Sequence, residues 1–298
     1  MLPLIRAMRP HQWVKNIFVL AAVVFARGDV RVEHPADYAD LWASLLAFGA
    51  FCLGSSSIYL INDVLDVESD RMHPEKRRRP IASGELSIPI ALAASVACVV
   101  GALGLGVAAR GEPSVAWIVA AYMLLNFAYS LKLKQIVLVD AFCIATGFLF
   151  RVEAGGRAAN YAVSYWLMLC TLFLALFLAL CKRRAEIDLL GDASGEHRAN
   201  LRQYTRPFLD QMVTLLAATT IVCYTMYTVA PDTVAKFGEG NLLVYTVPFV
   251  VFGLARYLLL VETRRGGGSP TKVLLGGDTA FVLNALAWAA VVAVAVWS

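Results

Sequence analysis

The sequence predicts an all-α polytopic membrane protein: a bundle of nine transmembrane helices with one polar site on its cytoplasmic side. Three observations carry that prediction. Of the 298 residues, 59% are hydrophobic and only 16% are charged, whereas soluble domains carry about 25% charge. The apolar residues come in long runs rather than in the periods of 2 or 3.6 that half-buried strands and surface helices require. Third, nine runs can be threaded through a bilayer from a cytoplasmic N-terminus. Nineteen of the 26 Lys and Arg then fall on the cytoplasmic side, six fall outside, and Arg256 lies within a run. That asymmetry is the positive-inside pattern.

The runs lie at 13–27, 40–61, 88–109, 114–131, 136–153, 161–181, 209–230, 241–261 and 278–297. The first is short against the ~20 residues a spanning helix needs, unless Gln12, Trp13 and Lys15 sit in the interface. Its basic start and apolar core also match a signal peptide. An uncleaved span is the preferred reading, because the chain that follows is itself membrane-embedded. Most connections are short, as between packed helices. Two are long and charged, at about 62–87 and 182–208, and both are cytoplasmic in this arrangement. A shorter basic link, YSLKLKQIVLVD, joins the fourth and fifth runs, and RRGGGSP at 264–270 reads as a flexible linker. No polar block is large enough to fold alone, so residues 1–298 read as a single integral membrane domain. The six cysteines have no CxxC pairing and read as small packing residues, not as disulfides or a zinc site. Topology accounts for the net charge of +4, and no nucleic-acid partner is implied. Association into a homo-oligomer is compatible with these features, which do not fix it.

Chemistry concentrates just after the second run, in NDVLDVESDRMHPEKRRRPIASG (62–84), which holds five acids and five bases. If the helix continues to residue 70, its ~100° per residue brings Asn62, Asp66, Asp70 and Asp63 onto one face about a quarter turn wide. Glu68 falls on the far side. Like charges one turn apart destabilise a helix, and an ionised group at membrane depth costs roughly 2.5–3.5 kcal/mol on insertion scales. One reading is a solvated helix end whose acids pair with Arg71, Lys76 and Arg77–Arg79. The preferred reading is a divalent cation. Hard oxygen ligands suit Mg²⁺, which takes one or two carboxylates and completes its shell with water and phosphate. Pro74 ends the helix, and Lys76 and Arg79 beyond it suit a diphosphate. Asp140, a few residues into the fifth run, reads equally well as a functional acid or as a structural partner of Lys132 or Lys134. Arg151 and Glu153 read as a structural pair. Arg256 reads as snorkelling or bundle-facing.

NDVLDVESD resembles the N-D-x-x-D-x-x-x-D signature of the UbiA superfamily of intramembrane prenyltransferases. The resemblance implies nine helices, a cytoplasmic Mg²⁺–diphosphate site and a lateral opening to lipid. The chain departs from the superfamily after the sixth run, where a second aspartate-rich motif is expected. CKRRAEIDLLGD stands there instead, with Asp188 and Asp192 in a local setting of KRRAE. From RPHQWVKN through YSLKLKQIVLVD and FLFRVEAGG to KRRAE, the chain is similar to the branch that phosphoribosylates decaprenyl phosphate. That resemblance implies transfer of 5-phosphoribosyl from phosphoribosyl diphosphate to a polyprenyl phosphate for cell-wall arabinan, in the bacterial plasma membrane. Carried onto this sequence, it makes Asn62, Asp66 and Asp70 the metal ligands, with Asp63 adjacent. Asp66, Asp70 and Glu186 become the catalytic residues, with Glu186 falling where the second acidic motif sits, to serve a second metal or the ribose hydroxyls. Tyr129, Lys132 and Lys134 fall near the donor phosphates, Lys182 and Arg183 near a phosphate of either substrate, and Lys15 near the lipid phosphate.

Two other readings remain open at this stage. One is a UbiA-type enzyme that moves a prenyl chain from its diphosphate to an aromatic acceptor. The remote one is a secondary transporter, which would show broken spans and midplane charge.

Overall fold

The computed structural model describes residues 2–27, 37–110, 113–190, 203–237, 242–263 and 278–297. All regular structure among them is helical. Seven helices are long and apolar enough to cross a membrane: Tyr38–Leu65, Ile88–Ala108, Ser114–Leu131, Tyr165–Asp188, Arg206–Val229, Leu242–Glu262 and Thr279–Val296. They correspond to seven of the nine expected runs, and the chain is an integral membrane protein.

The other two runs take different forms. The run at 13–27 is a 3-10 segment, Pro10–Leu20, followed by a short α-helix, Ala21–Arg27. The run at 136–153 becomes the helix Val139–Ala158. It is long enough, but it carries Asp140, Arg151, Glu153 and Arg157. The expected loop at 182–208 also differs, since helix continues to Leu190. KRRAE is built of strong helix formers, and ion pairs one turn apart support it there, Arg183 with Glu186 and Arg184 with Asp188.

Contacts divide the chain into two compact units. One comprises Met1–Val23, Tyr38–Leu131 and Phe150–Ala162, and the other Val24–Asp37, Lys132–Leu149 and Val163–Ser298.

In the first unit the Tyr38–Leu65 helix packs against Ile88–Ala108, Ser114–Leu131 and the 3-10 segment. Lipid supplies no hydrophobic drive between helices, so small residues must let backbones approach. Ala43, Ser44, Ala47, Ala50, Gly54, Ser55, Ser56 and Ser57 line the buried side of this helix. The closest approach is at Gly155, where an added Cβ would stand 1.9 Å from the Val19 carbonyl oxygen. A buried arginine ties the same region together. Arg151 donates from Nε to Asn16 Oδ1 at 2.8 Å and from Nη2 to the Tyr122 hydroxyl at 2.9 Å. Its guanidinium also lies over the Tyr122 and Phe51 rings. The expected Arg151–Glu153 pair is absent. Residues two apart point to different sides of a helix, and Glu153 pairs instead with Arg157, one turn on, at 3.0 Å.

In the second unit Tyr165–Leu190 packs on Arg206–Val229 around Phe177, Leu180, Leu209, Tyr257 and Leu260. Arg256 does not stand alone. It grips Asp278 through Nη2 at 2.8 Å and Nε at 3.1 Å. Asp278 Oδ1 also accepts the Phe281 amide at 2.8 Å, capping the last helix. The Arg256 hydrogen bond first, and then the Phe281 amide, hold the Asp278 carboxyl below its usual range. All six cysteines are free and buried, as their apolar settings predict.

The contact at Gly155 gives a direct test of this packing. Gly155→Ala must push the Val19 backbone aside, and such overpacking costs about 1–3 kcal/mol, so its melting temperature in detergent should fall clearly. Gly104→Ala, whose Cβ would meet nothing within 4 Å, should melt at or above the wild-type temperature.

Candidate functional site

The 62–84 stretch folds into a cap rather than a free loop. The Tyr38–Leu65 helix ends one residue before Asp66, and Val67–Met72 resumes it. Bonds of helical spacing run through the break, from Asp66 N to Asn62 O at 2.9 Å and from Asp70 N to Asp66 O at 2.8 Å. The expected continuous helix is therefore locally distorted at Asp66. His73 is extended, as a residue before proline must be. Its Nδ1 accepts the Glu75 and Lys76 amides at 3.2 and 3.4 Å, so it shapes the turn. Beyond it, Ile81 and Leu86 are buried against Ala7, Leu60 and Ala91. Gly84 supplies the left-handed backbone, φ 85°, that turns the chain between them.

This cap delivers Arg79 to the acids. Its Nη1 donates to Asp70 Oδ2 at 2.6 Å and to Asp63 Oδ1 at 3.1 Å, and both carboxylates are buried. Arg9 meets Asp63 Oδ1 from another direction, at 2.6 Å, with its guanidinium over the Tyr59 ring. Arg9 holds a left-handed backbone, φ 55°. That conformation costs a side-chain-bearing residue about 1–3 kcal/mol, and these contacts offset it. Sequence reasoning had not placed Arg9 in the site; its one signal was the RPHQWVKN resemblance. The four co-facial residues thus divide into two sets. Asp63 and Asp70 are engaged by arginine, whereas among the described residues no hydrogen bond or ion pair engages the half-buried side chains of Asn62 and Asp66.

This division bears on the metal. Among the described residues no group of three or more His, Cys, Asp and Glu is assembled to hold an ion. Asn62 and Asp66, one turn apart with unengaged oxygens, fit a cation that takes few protein ligands and keeps water and phosphate in its shell. Asp70 fits less well as a ligand, since one of its oxygens is taken by Arg79. Lys76 is exposed, and Tyr129 and Lys15 are half-buried in the same unit.

In the second unit Lys132 is exposed, Lys134 is half-buried, and Asp140, Arg183 and Glu186 come together. Arg183 is almost wholly buried. It donates from Nε to Asp140 Oδ2 at 2.8 Å and from Nη1 to Glu186 Oε2 at 2.7 Å. Lys182 Nζ stands 3.9 Å from the other Glu186 oxygen. The expected Asp140 partners, Lys132 and Lys134, are replaced by Arg183 and by Tyr204. The Tyr204 hydroxyl donates to Asp140 Oδ1 at 2.8 Å. Next along the helix, Arg184 pairs with Asp188 at 2.6 Å and with Asp210, and Arg206 adds a contact to Asp188 at 3.5 Å. Asp188 is thus held by arginines. Asp192 lies outside the described residues. Tyr204 and Asp210 could not be found from sequence, because nothing local marks a loop tyrosine or a helical aspartate as a partner of a distant charge.

Removing one member of such a buried pair leaves an uncompensated charge, worth about 3–5 kcal/mol. Arg183→Met should therefore destabilise strongly. Adding Asp140→Asn to it should recover a large part of the loss in a double-mutant cycle read by melting in detergent.

Comparison with known proteins identifies the family. The model of the UbiA prenyltransferase family matches residues 17–276. Decaprenyl-phosphate phosphoribosyltransferase of Mycolicibacterium smegmatis is 36% identical, over 99% of this chain and 92% of that protein. The Mycobacterium tuberculosis protein of the same name is also 36% identical, over 98% and 93%. Among solved structures, a UbiA homologue from Archaeoglobus fulgidus bound to GPP and Mg²⁺ superposes with a TM-score of 0.71 at 17% identity, covering 99% of this chain and all of that one. A digeranylgeranylglyceryl phosphate synthase follows at 0.66 and 18%, covering 98% and 95%. The structural likeness shows a shared fold. Together with the match along most of the sequence, it means that the chain belongs to the UbiA prenyltransferase family.

Proposed function

We propose that this chain transfers 5-phosphoribosyl from 5-phosphoribosyl 1-diphosphate to a polyprenyl phosphate, decaprenyl phosphate by analogy with its relatives, and releases diphosphate. The product would supply cell-wall arabinan synthesis. The observation that carries this reading is the 36% identity to decaprenyl-phosphate phosphoribosyltransferase sustained over 99% of this chain and 92% of the relative. We place the protein in the bacterial plasma membrane as a single domain, 1–298, with its polar site cytoplasmic. The distribution of Lys and Arg supports that orientation. Nine crossings follow if Pro10–Arg27 and Val139–Ala158 complete the seven apolar helices.

The roles combine the family resemblance with each residue's surroundings. Asn62 and Asp66, whose side chains are unengaged among the described residues, would hold Mg²⁺. The bound ion supplies positive charge against the charge that grows on the departing diphosphate. Asp63 and Asp70 hold Arg79, and Asp70 thereby serves the metal site from one side. Arg79 and Lys76 bind donor phosphate, as do Tyr129, Lys132 and Lys134. Lys182 binds a phosphate of either substrate, and Lys15 the lipid phosphate. Glu186, whose partner is already a guanidinium, faces the ribose hydroxyls more readily than a second cation. Arg183 and Asp140 are buried and support Glu186 rather than touching substrate.

In the reaction, the bond from ribose C1 to the diphosphate oxygen breaks and a bond from C1 to an acceptor phosphate oxygen forms. A phosphate monoester is already anionic at neutral pH, so no general base is needed. Positioning and fixed charge supply most of the rate. A donor with three phosphate groups and an acceptor with one also explain a site rich in Lys and Arg.

The purified chain with Mg²⁺ should form a phosphoribosylated lipid from phosphoribosyl diphosphate and polyprenyl phosphate, identified by mass. A prenylated ring from polyprenyl diphosphate and an aromatic acid, with silence from the first pair, would overturn the substrate assignment and leave the family intact. Asp66→Asn should lose roughly 10²-fold or more in turnover while melting as wild type does. Full activity in that variant would refute the metal assignment.

A further inference from the structure

Tyr204 stands outside every motif, yet it closes a hydrogen-bonded chain that runs to Glu186. It lies late in the second long connection, just before the Arg206–Val229 helix. Its hydroxyl does two jobs at once. It accepts the Leu138 amide at 2.8 Å and donates to Asp140 Oδ1 at 2.8 Å. Leu138 is left-handed, φ 66°, an uncommon backbone for a leucine. It immediately precedes the Val139–Ala158 helix, and its carbonyl accepts the Phe142 amide at 2.9 Å. Tyr204 therefore fixes both the first turn of that helix and the carboxylate that turn carries.

From Asp140 the chain continues through Arg183 to Glu186. Asp140, Arg183 and Tyr204 are buried, and the Glu186 side chain is 22% exposed. Glu186 is thus the only member able to meet a ligand. Arg183 uses two different nitrogens of one rigid plane for its two carboxylates, so its orientation sets where Glu186 Oε2 lies. With one hydrogen to give and one amide to accept, the phenol has a single hydroxyl orientation in this arrangement.

We propose that Tyr204 is a positioning residue for the transfer reaction, holding Asp140 and, through Arg183, setting Glu186 against the substrate. Burial raises the Tyr204 phenol well above its usual range, and the neighbouring Asp140 adds to that. The hydroxyl therefore stays protonated as a donor throughout the working pH range. The proposal rests on the reading that Glu186 meets substrate.

The test is a double-mutant cycle on turnover, using Tyr204→Phe, Glu186→Gln and the pair. Melting temperature is followed alongside, and kcat is expressed per folded molecule. Tyr204→Phe should lower kcat by about 10- to 100-fold, the range seen when a supporting partner is lost. In the Glu186→Gln background it should change kcat by less than about twofold, because the relay then ends on a group that no longer works. A purely structural role would lower melting and leave kcat per folded molecule unchanged, and that result overturns the proposal. Equal, additive losses in both backgrounds overturn it as well. Wild-type kcat in Glu186→Gln does so too, since the relay would then have no working end. Should Tyr204→Phe fail to fold, Asp140→Asn enters the same cycle with the same expectations. If the phosphoribosyl pair is silent and the prenyl diphosphate pair active, the proposed substrates fail, and the cycle read on the prenylated product still decides the role of Tyr204.

Discussion

Asp63 cannot stay ionised at the end of a membrane helix without a cation beside it, and two arginines meet it, Arg9 at 2.6 Å and Arg79 at 3.1 Å. The polar anatomy of the whole chain follows from that constraint. Desolvating a charge costs several kcal/mol, and close, hydrogen-bonded pairing is what repays it. Asp70 shares Arg79, Asp140 takes Arg183, Asp188 takes Arg184, and Asp278 takes Arg256. Each pair joins segments distant in sequence or adjacent helical turns. They also fix features that apolar packing alone would leave undetermined. One is the fold of the 73–87 cap, which must return Arg79 to the helix it has just left. Another is the helical state of KRRAE, in which four of the five residues carry charge.

Against that background Asn62 and Asp66 are informative by contrast. They share a helix end with Asp63 and Asp70, yet their side chains are left without a protein partner. An oxygen donor at a membrane boundary with no internal cation needs an external one. Paired aspartates thus stand beside an unpaired amide and carboxylate within nine residues. The sequence motif shows the acids as equivalent and cannot draw this distinction.

The apolar helices were legible because their signal is local. Hydropathy over some twenty residues marks Ile88–Ala108 or Thr279–Val296 whatever the rest of the chain does. The aspartate face was legible too, since helical spacing is a property of neighbours. Pairings across long separations were not. Arg151 reaches Asn16, 135 residues away, where a sequence reading offers Glu153 two residues on. Tyr204 reaches Asp140 across 64 residues. The 3-10 form of Pro10–Leu20 was also hidden. It presses the Val19 carbonyl onto Gly155, and the need for glycine there appears only when both segments are in place. The resemblance put Lys182 and Arg183 near a phosphate, whereas in the structure Arg183 and its neighbour Arg184 are consumed by internal acids.

That consumption has a kinetic consequence. A site for four phosphate groups gains nothing by holding them as tightly as it can, because one product is diphosphate and must leave. Binding that is equal in ground and transition states lowers KM without raising kcat. Arginines already paired with aspartates offer less net charge than bare ones, so they moderate affinity for every anion alike. They are also held in place before substrate arrives, which avoids the reorganisation that flexible lysines would need. Arg79, shared between Asp63 and Asp70 yet still 28% exposed at its side chain, has both properties. Pairing that first serves to bury charge in a membrane helix thus also leaves a guanidinium that is fixed in place, partly neutralised and still open to solvent, the properties that the proposed phosphate role asks of it.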